Sequence, residues 1–154
     1  MAEIKNNVNG SKLMSSRYLV FSINSQNFAL DLSHIIEIVE VLPITRIPNM
    51  PECIKGIMNL RGTVIPVMDL RMRFGFTETE YTERTCIVVI QNDNSLVGLM
   101  VEEVEDVLTI DKDEISPPSN LSNNRVAKYI QSIGLANNQT QSILDCNILF
   151  DLLS

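Results

Sequence analysis

The chain has 154 residues, of which 45% are hydrophobic and 20% are charged, and its formal net charge is -7. This length fits one domain, or two very small subdomains that share a core. The negative charge argues against binding to nucleic acid or to an anionic membrane surface, since both require a basic patch. No apolar run approaches the ~20 residues of a membrane-spanning helix, so we expect no direct membrane insertion.

The N-terminal residues are polar and include Glu3, which is not the pattern of a secretory signal peptide. We expect residues 1–16 to form a disordered tail and residues 17–154 to form one domain. Three cysteines without an export signal indicate free thiols in a reducing cytoplasm. Their spacing fits no metal or redox motif, so we expect packing or surface positions, no metal site and no cofactor: Cys53, Cys86 and Cys146.

Most apolar segments have the composition of β-strands, with turn residues between them. The predicted strands cover residues 18–23, 28–32, 63–68, 86–90 and 96–101, and the clearest turns lie at 24–27 and 92–95. Pro66 lacks a backbone N–H, which favours an edge strand or a bulge at that point. The pattern predicts an all-β chain with short helices.

Three segments are candidates for those helices. Ser33 fits the cap of a short helix over residues 34–38, although the β-branched residues there equally favour a strand. Residues 49–55 fit one helical turn. Residues 70–74 fit another, ended by Gly75.

The second half of the chain repeats the pattern of the first, which suggests an internal duplication. Coincidence among apolar strands is the alternative. If the duplication is real, each half is too small to bury enough apolar surface alone, and mutual packing supplies the core. The aligned positions are 54–57 with 130–133, Asp69 with Asp145, Phe74 with Phe150, 28–30 with 97–99, Ile35 with Val104, and Ile38 with Val107.

Recognisable catalytic and ligand-binding motifs are missing. The single histidine, His34, lies in an apolar stretch and is expected to be buried or half-buried and structural. The scattered glycines form no phosphate-binding loop. The acidic run 102–106 lacks the oxygen ligand pattern of a calcium loop, and we expect a solvated face with Val104 and Val107 turned inward.

Arg61 is the most informative single residue. It precedes Gly62, which permits a positive φ, so we expect a tight turn that presents Arg61 outward. A guanidinium in that position suits the carboxylate or carbonyl groups of a partner. The alternative is an internal salt bridge to Glu37 or Glu52.

The segment 45–62, TRIPNMPECIKGIMNLRG, closely resembles the signature of the CheW family of bacterial chemotaxis coupling proteins. Its Ile-Lys-Gly, Asn-Leu-Arg-Gly, Pro-Val and Asp-Leu-Arg motifs match that family in order and spacing. The segments 18–21, 28–31 and 97–101 match as well. The resemblance covers about residues 17 to 150.

The resemblance implies a CheW-like fold of two small five-stranded β-barrels on a shared hydrophobic core, with a subdomain boundary near 77–84. It also implies a non-catalytic adaptor that links the cytoplasmic tip of transmembrane chemoreceptors to the regulatory domain of a histidine autokinase and helps to build the signalling array. We expect such a protein to be cytoplasmic, monomeric in isolation, and recruited to membrane-associated receptor arrays.

The resemblance also implies a receptor-binding groove, and the duplication places Ile35 and Val104 at equivalent positions on its opposite walls. The matching positions are Ile35, Glu37, Gly56, Asn59, Arg61, Gly62, Cys86, Gly98 and Val104. The chain departs from the family pattern at Val39 and across 132–142, where Ser132 and a polar stretch replace a glycine and an apolar strand. We expect a shorter or more mobile last strand there.

Two other hypotheses are open. One is a CheW-like paralogue that serves another chemosensory pathway. The other is a small cysteine-dependent enzyme that uses Cys53 or Cys86 with His34. Ser33 and Asp31 do not complete a recognisable catalytic triad around His34.

Overall fold

A computed structural model describes residues 15–77, 80–118 and 125–152. These residues form eleven β-strands, two one-turn α-helices and three 3-10 turns. The strands are β1 (Ser15–Ile23), β2 (Gln26–Asp31), β3 (Ile35–Glu40), β4 (Ile54–Leu60), β5 (Thr63–Asp69), β6 (Cys86–Asn92), β7 (Ser95–Val101), β8 (Glu103–Asp111), β9 (Ile115–Ser116), β10 (Ile130–Ala136) and β11 (Gln139–Leu144). The helices are α1 (Leu70–Arg73) and α2 (Cys146–Leu149), and the 3-10 turns are Leu32–His34, Lys112–Glu114 and Ala127–Tyr129.

The strands form two sheets, and each sheet curls into a small barrel. Barrel A has the strand order β8-β1-β2-β11-β10-β9, and barrel B has the order β3-β6-β7-β5-β4. In barrel A, Ile110 of β8 lies against Gly134 of β10, which brings the two sides of the sheet together. In barrel B, Thr45 and Ile57 exchange backbone hydrogen bonds of 2.8 and 2.9 Å, so the segment after β3 closes onto β4. The all-β prediction with short helices is confirmed.

The two halves of the chain pair their strands in the same register. The shift between Ile54 and Gly56 on β4 recurs between Ile130 and Ser132 on β10. Asp69 and Asp145 cap α1 and α2 in the same way, each accepting a backbone N–H through its side chain. This agreement of register and capping supports the duplication and excludes a chance likeness of apolar segments.

The repeats exchange partners between the barrels. β5 of the first half runs parallel to β7 of the second half, while β11 runs parallel to β2. Barrel A therefore contains β1 and β2 together with β8 to β11, and barrel B contains β3 to β7. Each barrel includes strands from both sides of residues 77–84.

Each sheet buries apolar side chains on both of its faces. The inner faces hold two small clusters, one around Met58 and Ile87 in barrel B and one around Val20 and Ile143 in barrel A. The outer faces pack against each other in a larger cluster, which we call the shared core. Its members include Leu19, Phe21, Phe28, Leu30, Phe74, Val88, Ile90, Leu99, Val101, Tyr129 and Leu149. Since apolar burial stabilises by roughly 25 cal/mol per Å², packing in the shared core is the main interaction that holds the barrels together.

For the first candidate helical turn the strand alternative is confirmed, and the second candidate is wrong. The segment after Ser33 is the strand β3, and the 3-10 turn before it is capped by Asp31, whose carboxylate accepts the Ser33 N–H at 2.9 Å. Residues 49–53 form irregular turns and β4 begins at Ile54, because the chain must run along the edge of β4 to make the Thr45 bridge. The third turn is confirmed, since α1 ends before Gly75 at a φ of 86°.

For Pro66 the edge-strand alternative is wrong, while the bulge alternative finds a register shift close by, between Ile54 and Gly56 on the paired strand β4. β5 lies between β7 and β4, so it is not an edge strand. Pro66 is tolerated because the ladder to β7 begins only at Val67, and the Ile57 backbone opposite it bonds to Thr45 instead. β1 begins at Ser15, so Ser15 and Ser16 belong to the sheet and not to the predicted tail, and residues 1–14 lie outside the described part of the chain.

Gly56 supplies a test of the barrel closure. Its φ is 147°, and a Cβ there would overlap the Thr45 carbonyl oxygen. We expect Gly56→Ala to destabilise the protein by about 3 kcal/mol or more, measured by urea denaturation. The matched control is Ser132→Ala at the equivalent position of barrel A, which should cost less than about 1 kcal/mol. Equal losses in the two variants would contradict the role given to Gly56.

Candidate functional site

The turn between β4 and β5 presents Arg61 to solvent. Arg61 and Gly62 both have positive φ values, 49° and 90°, which is the geometry of a two-residue hairpin turn that matches the twist of the strands. The side-chain oxygen of Asn59 accepts the Gly62 N–H at 2.8 Å and fixes the turn. The prediction of a tight turn is correct, but the positive φ extends to Arg61 itself.

The guanidinium of Arg61 donates a hydrogen bond to the Glu37 carboxylate on β3. The predicted alternative of an internal salt bridge to Glu37 is therefore confirmed. The Arg61 side chain is nevertheless 69% exposed and that of Glu37 is 28% exposed. An ion pair in contact with water contributes only about 0–1 kcal/mol to the free energy of unfolding. A partner carboxylate can therefore replace Glu37 with little loss of stability.

Gly56 and Gly98 of the predicted groove are buried inside barrel B. They lie on either side of Val67, which pairs with Gly56 on β4 and with Gly98 on β7. A Cβ at position 98 would come within 2.7 Å of Ile87. Because both glycines are buried, each can influence the surface only through the strand to which it belongs.

Ile35, Cys86 and Val104 lie at the border of the shared core, where all three are half-buried. Ile35 is close to Glu37 on β3 and so connects this border to the Arg61 turn. Cys86 lies at the opposite end of the β3–β6 ladder, across from Glu40. The predicted residues therefore fall into three groups: the Arg61 turn, the interior of barrel B and the border of the shared core.

Two exposed apolar residues beside the shared core were not predicted as site residues. Ile38 is 44% exposed and pairs with Val88, while Val107 is 38% exposed and pairs with Leu19. Val88 and Leu19 are buried in the shared core, so Ile38 and Val107 extend its surface into solvent. The prediction that Val107 turns inward is wrong. The duplication alignment, which pairs these two positions, was the available signal.

His34 is exposed, contrary to the prediction of a buried or half-buried histidine. It lines a cavity at one end of barrel A together with Cys146, not with Cys53 or Cys86. Burial raises the pKa of all three thiols, and Asp145 and Asp31 add to the effect at Cys146, whose pKa rises to about 12. A thiol activated for catalysis has the opposite shift, which argues against the cysteine-dependent enzyme.

The divergent segment 132–142 keeps the general geometry of its counterpart. Asn137 and Asn138 form the turn between β10 and β11 with φ values of 52° and 61°. β11 has six residues where β5 has seven, so the last strand is slightly shorter, as expected. Asn137 occupies the place that Arg61 has in barrel B, and the exposed arginine is thus a feature of one barrel.

Comparisons with known proteins identify the class of this two-barrel fold. The family model described as CheW-like domain matches residues 17–154. Chemotaxis protein CheW of Bacillus subtilis is 34% identical over 136 residues, which cover 88% of this chain and 86% of the relative. Chemotaxis protein CheW of Klebsiella aerogenes is 29% identical over 132 residues, which cover 86% and 80%.

A solved structure agrees with this class. The scaffolding protein TtCheW of Thermoanaerobacter tengcongensis matches with a TM-score of 0.83 and 32% sequence identity, over 91% of this chain and 95% of that one. The chain belongs to the CheW family, a family of chemotaxis scaffold proteins. Within its described residues, no helix is long and apolar enough to cross a membrane, and no group of three or more His, Cys, Asp or Glu side chains could hold a metal ion.

The exposed and buried arginine pairs give a prediction about stability. We expect Arg61→Ala to lower the free energy of unfolding by less than about 1 kcal/mol, because the Glu37 pair is in contact with water. Arg71→Ala is the control, since Arg71 is 3% exposed and its Nη2 donates to the buried Asp69 at 3.0 Å. That variant should lose about 3–5 kcal/mol because an unpaired carboxylate stays buried. A large loss in Arg61→Ala would show that the turn is structural.

The thiols give a second prediction. At pH 8 the native protein should react slowly with Ellman's reagent, because raised pKa values leave little thiolate, and Cys146 should be the least reactive. Half-buried Cys86 should react before Cys53. Unfolding the protein in denaturant should make all three react rapidly. Fast reaction of Cys53 or Cys86 in the native protein near pH 7 would instead support the cysteine-dependent enzyme.

Proposed function

We propose that this protein is a non-catalytic adaptor that couples transmembrane chemoreceptors to a histidine autokinase and helps to build the signalling array. Membership of a chemotaxis scaffold family supports this role. The observation that carries the proposal is an exposed apolar border beside a weakly held arginine. Ile38 and Val107 extend the shared core into solvent, and the Arg61 side chain is exposed, so a partner can contact it.

The receptor tip would bind along this border through an apolar stripe on a helix. Helices that dock in this way present residues at a spacing of three and four, which match isolated apolar side chains on the receiving surface. Ile35 and Val104 would form the deeper part of the contact, where they are already half-buried. Arg61 would fix the register by exchanging Glu37 for a carboxylate or carbonyl of the receptor.

A separate barrel surface would bind the regulatory domain of the kinase. Because both barrels share one core, a receptor and a kinase domain bound to the same molecule are held at a high effective concentration of each other. No covalent step is required of the adaptor, and its contribution is to hold the two partners in a fixed arrangement. This binding would recruit the protein to membrane-associated receptor arrays.

Binding of a receptor-tip fragment tests the receptor surface. We expect Arg61→Ala to weaken binding about tenfold or more, because it removes a charged contact while leaving the fold intact. Ile38→Ser and Val107→Ser should also weaken it, since each removes an exposed apolar anchor. Titration calorimetry with the purified fragment measures the change, and Arg17→Ala is the control, as it removes an exposed arginine of the same charge from β1.

Unchanged receptor binding in folded Arg61→Ala and Ile38→Ser variants would contradict the receptor surface. Binding of the kinase regulatory domain should be unaffected in these same variants. Loss of both partners together would indicate unfolding. If the protein bound neither a chemotaxis receptor nor its kinase, but bound those of another chemosensory pathway, the paralogue alternative would replace the proposal.

A further inference from the structure

Barrel A opens at one end into a cavity of about 560 Å³. The cavity is lined mainly by polar side chains, among them Tyr18, Asp31, Lys112, Ser132 and Asp145. A cavity of this size accommodates a small organic molecule. Nothing in the adaptor role uses it, so its chemistry needs a separate explanation.

The equivalent interior of barrel B is filled with apolar side chains. The shared register of the two repeats matches each interior position of barrel B with one of barrel A. At four of them barrel A has a polar or smaller residue: Tyr18 in place of Ile87, Asp31 in place of Met100, Gln141 in place of Ile65 and Gly134 in place of Met58. Gln141 is 4% exposed, and its side-chain oxygen has no hydrogen-bond partner within the described chain. A buried polar group without a partner costs about 1–3 kcal/mol, which barrel B avoids with Ile65.

In barrel B the guanidinium of Arg71 lies at the matching position. Its Nε donates to Oδ1 of Asp69 at 3.2 Å and its Nη2 donates to Oδ2 at 3.0 Å. The guanidinium also lies 5.8 Å from the centre of the Tyr81 ring. Both members of the pair are buried, so barrel B holds an organic cation from its own chain at this position.

Barrel A keeps the carboxylate but not the cation. Asp145 is the counterpart of Asp69, and its Oδ1 accepts the Asn147 N–H at 2.9 Å just as Asp69 accepts that of Arg71. Asn147 is the counterpart of Arg71, and it is exposed. In the part of the chain that the structure describes, no side chain donates to the Asp145 carboxylate. Asp145 and Asn147 both line the cavity.

A second carboxylate faces the same space. Asp31 lines the cavity beside Tyr18 and pairs with it across β1 and β2. β2 and β11 run parallel with Ala29 opposite Ile143, and Asp31 and Asp145 each follow two residues later, so the two carboxylates lie side by side in the cavity lining. Lys112 is the only lysine or arginine among the lining residues, and it is exposed. The wall therefore favours a cation.

We infer that this cavity binds a small organic cation carrying a guanidinium group, held by the carboxylates of Asp145 and Asp31. The ligand would take the position that the Arg71 side chain has in barrel B. A planar guanidinium matches a carboxylate with two parallel hydrogen bonds, which explains why the same aspartate serves in both barrels. This inference is independent of the proposed adaptor role.

Titration of the full-length protein followed by two-dimensional NMR tests the site. The probe is ethylguanidinium, and its neutral isostere ethylurea is the control ligand. For so small a cation we expect a Kd on the order of 1 mM, with saturable shifts confined to residues around the cavity. Ethylurea should bind at least about tenfold more weakly, because it lacks the charge.

Three variants make the test specific. Asp145→Asn keeps an oxygen to cap α2 and should weaken ethylguanidinium binding about tenfold or more. Asn147→Arg should abolish it, because the chain then supplies its own guanidinium as in barrel B. Asp93→Asn is the matched control. Asp93 lies in the β6–β7 turn, outside the cavity, and its substitution removes the same charge.

The outcomes are distinct. No saturable shift at about 10 mM ethylguanidinium, equal binding of ethylurea, or unchanged binding in a folded Asp145→Asn variant would each overturn the inference. Equal weakening in Asp93→Asn would also overturn it, because the attraction would then come from the overall negative charge. Weakening confined to Asp145→Asn and Asn147→Arg would establish the site.

Discussion

Burial of the two outer sheet faces against each other is the constraint on which this structure depends. Neither inner cluster is large, and the interior of barrel A also holds Gln141, a polar residue that is 4% exposed. The shared core supplies the apolar burial that a barrel of this size lacks. Its border, marked by Ile38 and Val107, is part of the surface that we propose for receptor binding. Under that proposal, stability and recognition draw on the same set of side chains.

The sequence predicted the fold where local chemistry decides the structure. Alternating apolar residues and turn residues located most strands, and Gly75 marked the end of α1. It failed where distant pairing decides. The Thr45 bridge to Ile57 holds residues near 49–55 out of a helix, and the start of the β7 ladder at Val67 makes room for Pro66. Neither contact can be predicted from the local sequence, because each joins segments that come together only when the chain folds.

The candidate site was predictable to a similar extent. The glycine that follows Arg61 predicted the turn that exposes it, and Glu37 was one of the two predicted salt-bridge partners of Arg61. Gly56 and Gly98 are predicted groove residues because the resemblance to the CheW family implies them, whereas their burial gives them a packing role. The sequence shows that Arg71 follows Asp69 where Asn147 follows Asp145. Only the structure shows that the Arg71 side chain pairs with the Asp69 carboxylate, whereas Asp145 accepts a backbone N–H from Asn147.

The exchange of strands between the barrels has a consequence for synthesis of the chain. Barrel B is built from residues 35–101, so all of its strands are available once β7 has been made. Barrel A needs β1 and β2 from the start of the chain and β11 from its end. Until β11 emerges, the β1–β2 hairpin has an open edge and an apolar surface, which is a state prone to aggregation. The completion of barrel B gives that hairpin its first surface to pack on, so the middle of the chain can protect the beginning while the end is still being translated.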